Sequence, residues 1–241
     1  MTDQALGLLH TAASHRDRFS ALLTELAPPG VTWIHSVREE LLRDALEDVP
    51  EARQTAAISA ALAELHDHGA AQILCTCSSI GRLAETVGAG LQVPTLRVDR
   101  PMAERAVAHG RHILVVACLT STLVPTAALL RECAAATDRQ VEIETMLLPR
   151  AWHWFQEGNE PAFHRAIAEA VLDSALTVDA VVLAQASMAP AAALLAQLLP
   201  APVLSSPRLG TEAALRRLTG QRVGGEAHRS NGSNGAEGRR A

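Results

Sequence analysis

The sequence predicts an α/β protein made of two pseudo-symmetric lobes, each a short, mostly parallel sheet flanked by helices, with a ligand site in the cleft between them. Three observations carry this expectation. Short aliphatic runs alternate with longer amphipathic stretches, and the second half of the chain repeats the first at a nearly constant offset. The composition, 48% hydrophobic and 20% charged over 241 residues, is that of a chain able to bury a full core.

Taken in order, the aliphatic runs are Leu6 to Leu9, Val31 to Ile34, Ile73 to Cys75, Thr95 to Val98, Ile113 to Ala117, Val141 to Ile143, Ala180 to Leu183 and Val203 to Leu204, which makes eight candidate strands. Helix-like stretches separate them: Ala52 to His66, Pro101 to Ala108, Pro125 to Ala135 and Pro161 to Leu176, several of them opening on the proline that suits a first turn. Strands alternating with helices give a parallel sheet covered on both sides.

The repeat ties these elements together. VTWIHS from Val31 overlays VEIETM from Val141 at a shift of 110, while QILCTCSSIG from Gln72 overlays AVVLAQASMA from Ala180 at 108. VPTLRVD from Val93 overlays APVLSSP from Ala201 at 108, and LGLLHTA from Leu6 meets LVVACLTST from Leu114 at the same shift. The expected division is residues 1–100 plus about 203–220 in the first lobe and 101–202 in the second, facing each other across a cleft at their strand ends. Residues 222–241, with five glycines and one aliphatic side chain larger than Ala, are expected to be a disordered tail.

Charge and composition exclude several classes of function. A net charge of -5 and a pI near 6.1 offer no cationic surface for phosphate backbones, and three Trp, three Phe and no Tyr leave few platforms for bases, so no nucleic acid is expected as partner. The opening MTDQALGLLHTAASH lacks a basic start and a small-residue cleavage site, so no export signal is read and a cytoplasmic location is expected. There Cys75, Cys77, Cys118 and Cys133 should remain thiols. Ala180 to Leu204 is uncharged and long enough to span a bilayer. Pro190, Pro200 and Pro202, with Gln185 and Gln197, would cut such a helix, so strand, loop, short helix and strand are expected there, with no membrane partner.

Cys77 ends the third aliphatic run and is followed by Ser78, Ser79 and Gly81, placing a thiol and two hydroxyls where a strand turns into a helix. Free amides at a helix start favour anions, a thiolate and a substrate carboxylate alike. Cys75, inside its strand, is expected in the core, as are Cys118 and Cys133, although Cys118 closes a strand and could look into the cleft. Trp152 and Trp154 form an aromatic cluster expected to pack between subunits rather than to cover the cleft. No G-x-G-x-x-G or phosphate-loop pattern is present, and Cys75 and Cys77 are not expected to share a zinc ion, so neither cofactor nor metal is expected.

Cys77 with Ser78 and Ser79, the repeat that sets Gln185, Ala186, Ser187 and Met188 opposite them, and VDRPMAERAV from Val98 resemble the aspartate/glutamate racemase superfamily, over about Leu6 to Leu218. Its members include glutamate, aspartate and hydantoin racemases, arylmalonate decarboxylase and maleate isomerase. The resemblance implies a cofactor-free site between two lobes with a cysteine from each. One thiolate removes the proton beside a carboxylate and the other thiol returns one, because inversion at carbon needs an acid and a base on opposite faces. The first cysteine, usually followed by Asn-Thr, falls on Cys77. Where the hydantoin-racemase-like form carries Gly-Cys-Ala-Gly-Met, this sequence has Ala184 to Met188, so Gln185 replaces the second thiol. An amide cannot shuttle a proton near neutral pH, but it can donate a hydrogen bond to a carboxylate or enediolate.

The resemblance also implies substrate binding by Thr120, Ser121 or Thr122, one of which takes the place of a carboxylate-binding threonine. His10 and Thr11 stand where glutamate racemases carry Asp-Ser. His10 is expected there as a cation or hydrogen-bond donor, the alternative being a surface His10 with Thr11 capping a helix. Three outcomes stay open: a racemase or isomerase whose second proton is carried by His35, His10, Cys118 or Ser187; an enzyme using Cys77 alone, in double-bond isomerisation or after decarboxylation; and a non-catalytic carboxylate-binding protein. A small carboxylate is the expected partner, and a homo-oligomer is left open.

Overall fold

The computed structural model describes residues 4–47 and 49–220, so the tail from Arg222 lies outside the described residues. Eight strands form: β1 Gln4–His10, β2 Val31–Val37, β3 Ala70–Cys75, β4 Thr95–Arg97, β5 His112–Ala117, β6 Glu142–Leu147, β7 Ala180–Leu183 and β8 Val203–Ser205. They build two parallel four-stranded sheets of the same order, β2-β1-β3-β4 and β6-β5-β7-β8. The internal repeat is thus a repeat of topology.

The inner strands β1, β3, β5 and β7 are buried on both faces, which is why they read as continuous aliphatic runs, while the edge strands β2 and β6 are partly exposed and carry polar residues. Side-chain alternation sorts each run between two cores. Leu6 and Leu8 of β1, Leu74 of β3 and Leu96 of β4 pack with α1 (Ala13–Leu26) and α10 (Ser206–Leu218). Leu9, Ile73 and Cys75 pack with α3 (Glu51–Asp67) and α4 (Ser78–Leu91), and α2 (Glu39–Leu46) adds Leu41. In the second sheet, Ile113, Val115 and Val182 pack with α5 (Arg100–His109) and α6 (Thr120–Ala136). Leu114, Val116, Val181 and Leu183 pack with α7 (Pro149–Gln156), α8 (Glu160–Asp173) and α9 (Ala189–Leu195). Each fully buried leucine or isoleucine contributes roughly 1.5–3 kcal/mol.

The lobes exchange helices. α5 follows β4 yet packs on the second sheet, and α10 follows β8 yet packs on the first. The crossing is close: a Cβ on Gly210 of α10 would lie 2.5 Å from Val98 O, so glycine is required there. This corrects one boundary read from sequence. Residues 203–205 are not part of the first lobe, because Val203, Leu204 and Ser205 pair with Val181, Val182 and Leu183, and Leu204 completes the core beneath α5.

Two helix ends also differ from the sequence reading. α6 starts at Thr120, so Pro125 lies inside it rather than in its first turn. α8 begins where Asn159 accepts a hydrogen bond from Ala162 N–H at 3.2 Å, and it ends at Asp173, before Ala175 turns to φ 49°. The uncharged stretch from Ala180 resolves into β7, a 3₁₀ turn, α9 and β8. No helix among the described residues is long and apolar enough to cross a membrane.

Candidate active site

β3 and β7 occupy the same position in their sheets, and each turns at its end into a helix start. Cys77 (φ −118°, ψ 117°) precedes α4 and Gln185 (φ −106°, ψ 140°) precedes the 3₁₀ turn Ala186–Met188, so thiol and amide are structural equivalents. After β1 and β5, α1 and α6 start in the same manner from extended Ala12 and Leu119. None of the four N-cap side chains caps its own turn. The positive ends of α4, α6 and the 3₁₀ turn therefore remain available to an anion, whereas the Ala13 N–H of α1 already donates to Glu39 Oε1 at 3.3 Å.

All four starts border one cavity of about 170 Å³. Its polar side carries Thr11, Ser14, His15, Thr76, Cys77, Ser78, Ser79, Thr122, Gln185 and Ser187. Its apolar side carries Leu42 from α2 in the first lobe and Leu119, Trp152 and Phe155 from the second. Trp152 and Phe155 stack with ring centroids 4.7 Å apart, 26° from parallel. No arginine or lysine among the described residues lines the space.

Of the residues singled out from sequence, Thr11, Cys77, Ser78, Ser79, Thr122, Gln185 and Ser187 border this cavity, whereas His10, His35, Thr120 and Ser121 do not. Within the Thr120–Thr122 run only Thr122 reaches it, and Ser121 Oγ is buried without a partner among the described residues. His10 is neither a surface residue nor a cation facing an anion. It is wholly buried, with Nδ1 2.8 Å from Thr76 Oγ1 and Nε2 2.8 Å from His35 Nδ1. Burial first, then the neighbouring His35, His15 and Arg16, hold its pKa down to about 3, so it is neutral at neutral pH.

The thiols divide clearly. Cys75 is fully buried, burial drives its pKa upward, and its S–H lies 3.7 Å from Cys77 O. Burial pushes Cys118 up to about 12 and Cys133 up to about 11. Among these, Cys77 alone borders the cavity. Cys118 serves through its backbone instead: its N–H donates to Gln185 Oε1 at 2.5 Å. That bond commits the acceptor end of the amide, and the Gln185 NH2 finds no acceptor among the described residues, which makes it a donor for a ligand.

The walls are held from behind. Ser78 Oγ donates across the lobes to Ala184 O at 3.4 Å, and His164 Nε2 donates to Ser187 O at 3.0 Å. Beneath the start of α4, buried Arg97 grips buried Asp99 through Nε and Nη2 at 2.7 and 2.9 Å and reaches Ser78 O at 3.4 Å. A Cβ on Gly81 would stand 2.9 Å from Arg97 Cβ, so the glycine lets the guanidinium lie against the helix.

Sequence reasoning missed His15, Ser14, Thr76, Leu42, Leu119 and Phe155, and it assigned Trp152 to a subunit contact rather than to the cavity wall. For His15 the signal existed: it lies in the first turn of the helix after β1, the same kind of address that pointed to Ser78 and Ser79 after β3. For the apolar lining there was none, since Leu42 of α2 and Phe155 of α7 come to one cavity only in three dimensions.

The family model described as Asp/Glu/Hydantoin racemase matches residues 10–214. No curated protein matches the chain by sequence. Among solved structures, Picrophilus torridus aspartate racemase is 17% identical, with 91% of this chain and 95% of that one covered at a TM-score of 0.65. Glutamate racemase from Thermus thermophilus in complex with β-chloro-D-alanine is 18% identical, with coverage of 90% and 81% and a TM-score of 0.64. Unliganded arylmalonate decarboxylase is 16% identical, with coverage of 92% and 97% and a TM-score of 0.55. At such identities these likenesses speak for the fold alone.

Proposed function

This chain belongs to the Asp/Glu/hydantoin racemase family, and we propose that its cavity moves a proton at the carbon next to the carboxylate of a small acid, with Cys77 as the thiol acid or base. The observation that carries the reading is the pairing of Cys77 and Gln185: equivalent residues of two repeated lobes, bordering one cavity where four helix starts meet. The carboxylate sits among backbone amides and hydroxyls, since no arginine or lysine among the described residues lines the space. Loss of the neighbouring proton shifts charge onto the carboxylate oxygens, and the Gln185 NH2 and the helix amides stabilise the resulting enediolate. One such donor is worth roughly 10²–10³ in rate.

The substrate class follows from the apolar part of the lining. Leu42, Leu119, Trp152 and Phe155 take an apolar or aromatic substituent, and a second carboxylate placed against them would find no countercharge. The substrate is a carboxylate with an apolar group on its α-carbon rather than a dicarboxylic amino acid. One further reading has its own support: because an amide stands where a second thiol would, Cys77 could deliver a single proton after decarboxylation.

The test is incubation of wild-type protein and Cys77→Ala in deuterium oxide with 2-phenylpropionate, phenylmalonate, amino acids, hydantoins and maleate. Deuterium entering the α-carbon of an arylated acid, absent in the variant, supports the first reading, and carbon dioxide from phenylmalonate supports the second. A silent panel with measurable carboxylate binding would replace both with a binding protein.

A further inference from the structure

Besides Cys77, the only ionisable side chain among the described residues that borders the cavity is His15, and it terminates a hydrogen-bonded chain through the first lobe. His15 Nδ1 lies 3.4 Å from Thr76 Oγ1, which lies 2.8 Å from His10 Nδ1. His10 Nε2 lies 2.8 Å from His35 Nδ1, and His35 Nε2 lies 3.0 Å from Ser20 Oγ on the partly exposed side of α1. Every member is a hydroxyl or an imidazole, able both to donate and to accept. The His15 Nε2 has no partner among the described residues, which leaves that nitrogen for a ligand. We propose that His15 is the second proton-transfer group of the cavity and that Thr76, His10 and His35 relay its proton to solvent at Ser20.

The inference rests on the reading of the cavity as a place of proton transfer. A relay needs neutral imidazoles, because an imidazolium has two donors and no acceptor. Burial supplies them: it holds His15 down to about 4, helped by Arg18, and His10 down to about 3. His35 is lowered by burial and Arg16, against Asp17. Arg16, Asp17 and Arg18 of α1, with Cys77 beside Thr76, are the charged or titratable neighbours of the chain, and Phe19 packs on His10 at 5.7 Å between ring centroids.

The transfer balances atom by atom. The substrate C–H bond breaks, its electron pair stays on the substrate as the enediolate, and the proton bonds to His15 Nε2. The Nδ1 proton of His15 passes to Thr76 Oγ1, the Thr76 proton to His10 Nδ1, the His10 Nε2 proton to His35 Nδ1, the His35 Nε2 proton to Ser20 Oγ, and the Ser20 proton to water. The chain ends with every donor reversed and no member charged, and a proton returning to the substrate runs the same path backwards. The link at Thr76 is the gate, since its hydroxyl chooses between Leu9 O at 3.2 Å and the histidines on either side.

The experiment measures α-deuterium exchange of 2-phenylpropionate and its binding in wild type, His15→Ala and His10→Gln. His15→Ala should bind the acid as the wild type does, exchange it about 10²-fold more slowly, and recover part of the rate when imidazole is added. His10→Gln should slow exchange with the acid still bound, which separates the relay from a structural role. An undiminished rate in His15→Ala, or a loss that imidazole does not relieve, overturns the proposal. If wild type exchanges no acid of the panel, the functional reading fails by itself, and the relay is then judged by ¹⁵N NMR of the ring nitrogens at neutral pH. Neutral His10 and His15 exchanging between tautomers, with Thr76→Val locking His15 into one, support it; an imidazolium or a single tautomer in wild type overturns it.

Discussion

Replacing Gln185 by Leu preserves the bulk of the side chain and removes both of its polar ends. On the protein side, the Cys118 N–H, in a residue 2% exposed, loses its acceptor. An orphaned buried donor costs about 1–3 kcal/mol, and at roughly 2–4 °C per kcal/mol for a chain of this size the melting temperature falls by several degrees. On the ligand side, the loss of the amide donor lowers exchange by roughly 10²–10³. Gln185→Glu separates the two effects. Its carboxylate still accepts from Cys118 N–H, so that donor is not orphaned, but a negative charge now stands where the NH2 faced the substrate. Two like charges about 4 Å apart at an effective dielectric near 20 repel by about 4 kcal/mol, which weakens carboxylate binding about 10³-fold. Thermal unfolding and calorimetric titration with 2-phenylpropionate measure both quantities. Undiminished binding by Gln185→Glu, or a Gln185→Leu variant as stable as wild type, would refute the division of labour assigned to this amide.

Acid stability follows from the histidine chain. His10 and His15 take an ordinary value of 6.5 in the unfolded protein and about 3 and about 4 in the native one, so below 6.5 the unfolded chain binds protons that the native state refuses. Their contribution is fully present above that value and is lost as pH falls toward the native ones, at up to about 1.4 kcal/mol per unit for each histidine. Urea titrations from neutral to mildly acidic pH should show this slope, reduced by one histidine's share in His10→Gln; an identical slope in the variant counts against burial of a neutral ring. Asp99→Asn strips the countercharge from buried Arg97 and should cost about 3–5 kcal/mol, while the double change Arg97→Met with Asp99→Leu should cost less than either single one. Denaturant midpoints decide this, and a cheap Asp99→Asn would show that water reaches the pair. Trp152→Ala opens the apolar wall and should weaken 2-phenylpropionate about 10–100-fold while leaving acetate unchanged; equal losses for both acids would mean that the indole shapes the carboxylate end instead.

The residues legible in the sequence are those whose role follows from position along one strand. The inner strands β1, β3, β5 and β7 were legible as aliphatic runs because they are buried on both faces of a parallel sheet, whereas the edge strands β2 and β6, partly exposed and carrying polar residues, were legible through the repeat. Cys77 and Gln185 could be set opposite one another by offset alone, since duplicated lobes place equivalent strand ends on a common cleft. Errors arose where local punctuation competed with packing. Pro125 looked like a first-turn proline, yet Thr120 to Val124 join the helix ahead of it. Residues 203–205 looked like the start of the returning segment, yet Leu204 was needed under α5.

His10 shows why the remainder was hidden. Its place after an aliphatic run suggested a cleft residue, but its charge state depends on Phe19, His35 and Thr76, none adjacent in the chain, and on the water they exclude. The amino-acid order alone determined the strands, the doubling of the lobe and the placing of a thiol and an amide at equivalent strand ends, because hydrophobic periodicity and repetition are local properties of a chain. Only the tertiary structure decided that His15 reaches the cavity, that Leu42 and Trp152 both border it, and that three histidines join in one hydrogen-bonded line. Contacts between distant segments set burial, and burial sets which groups can hold a charge or pass on a proton.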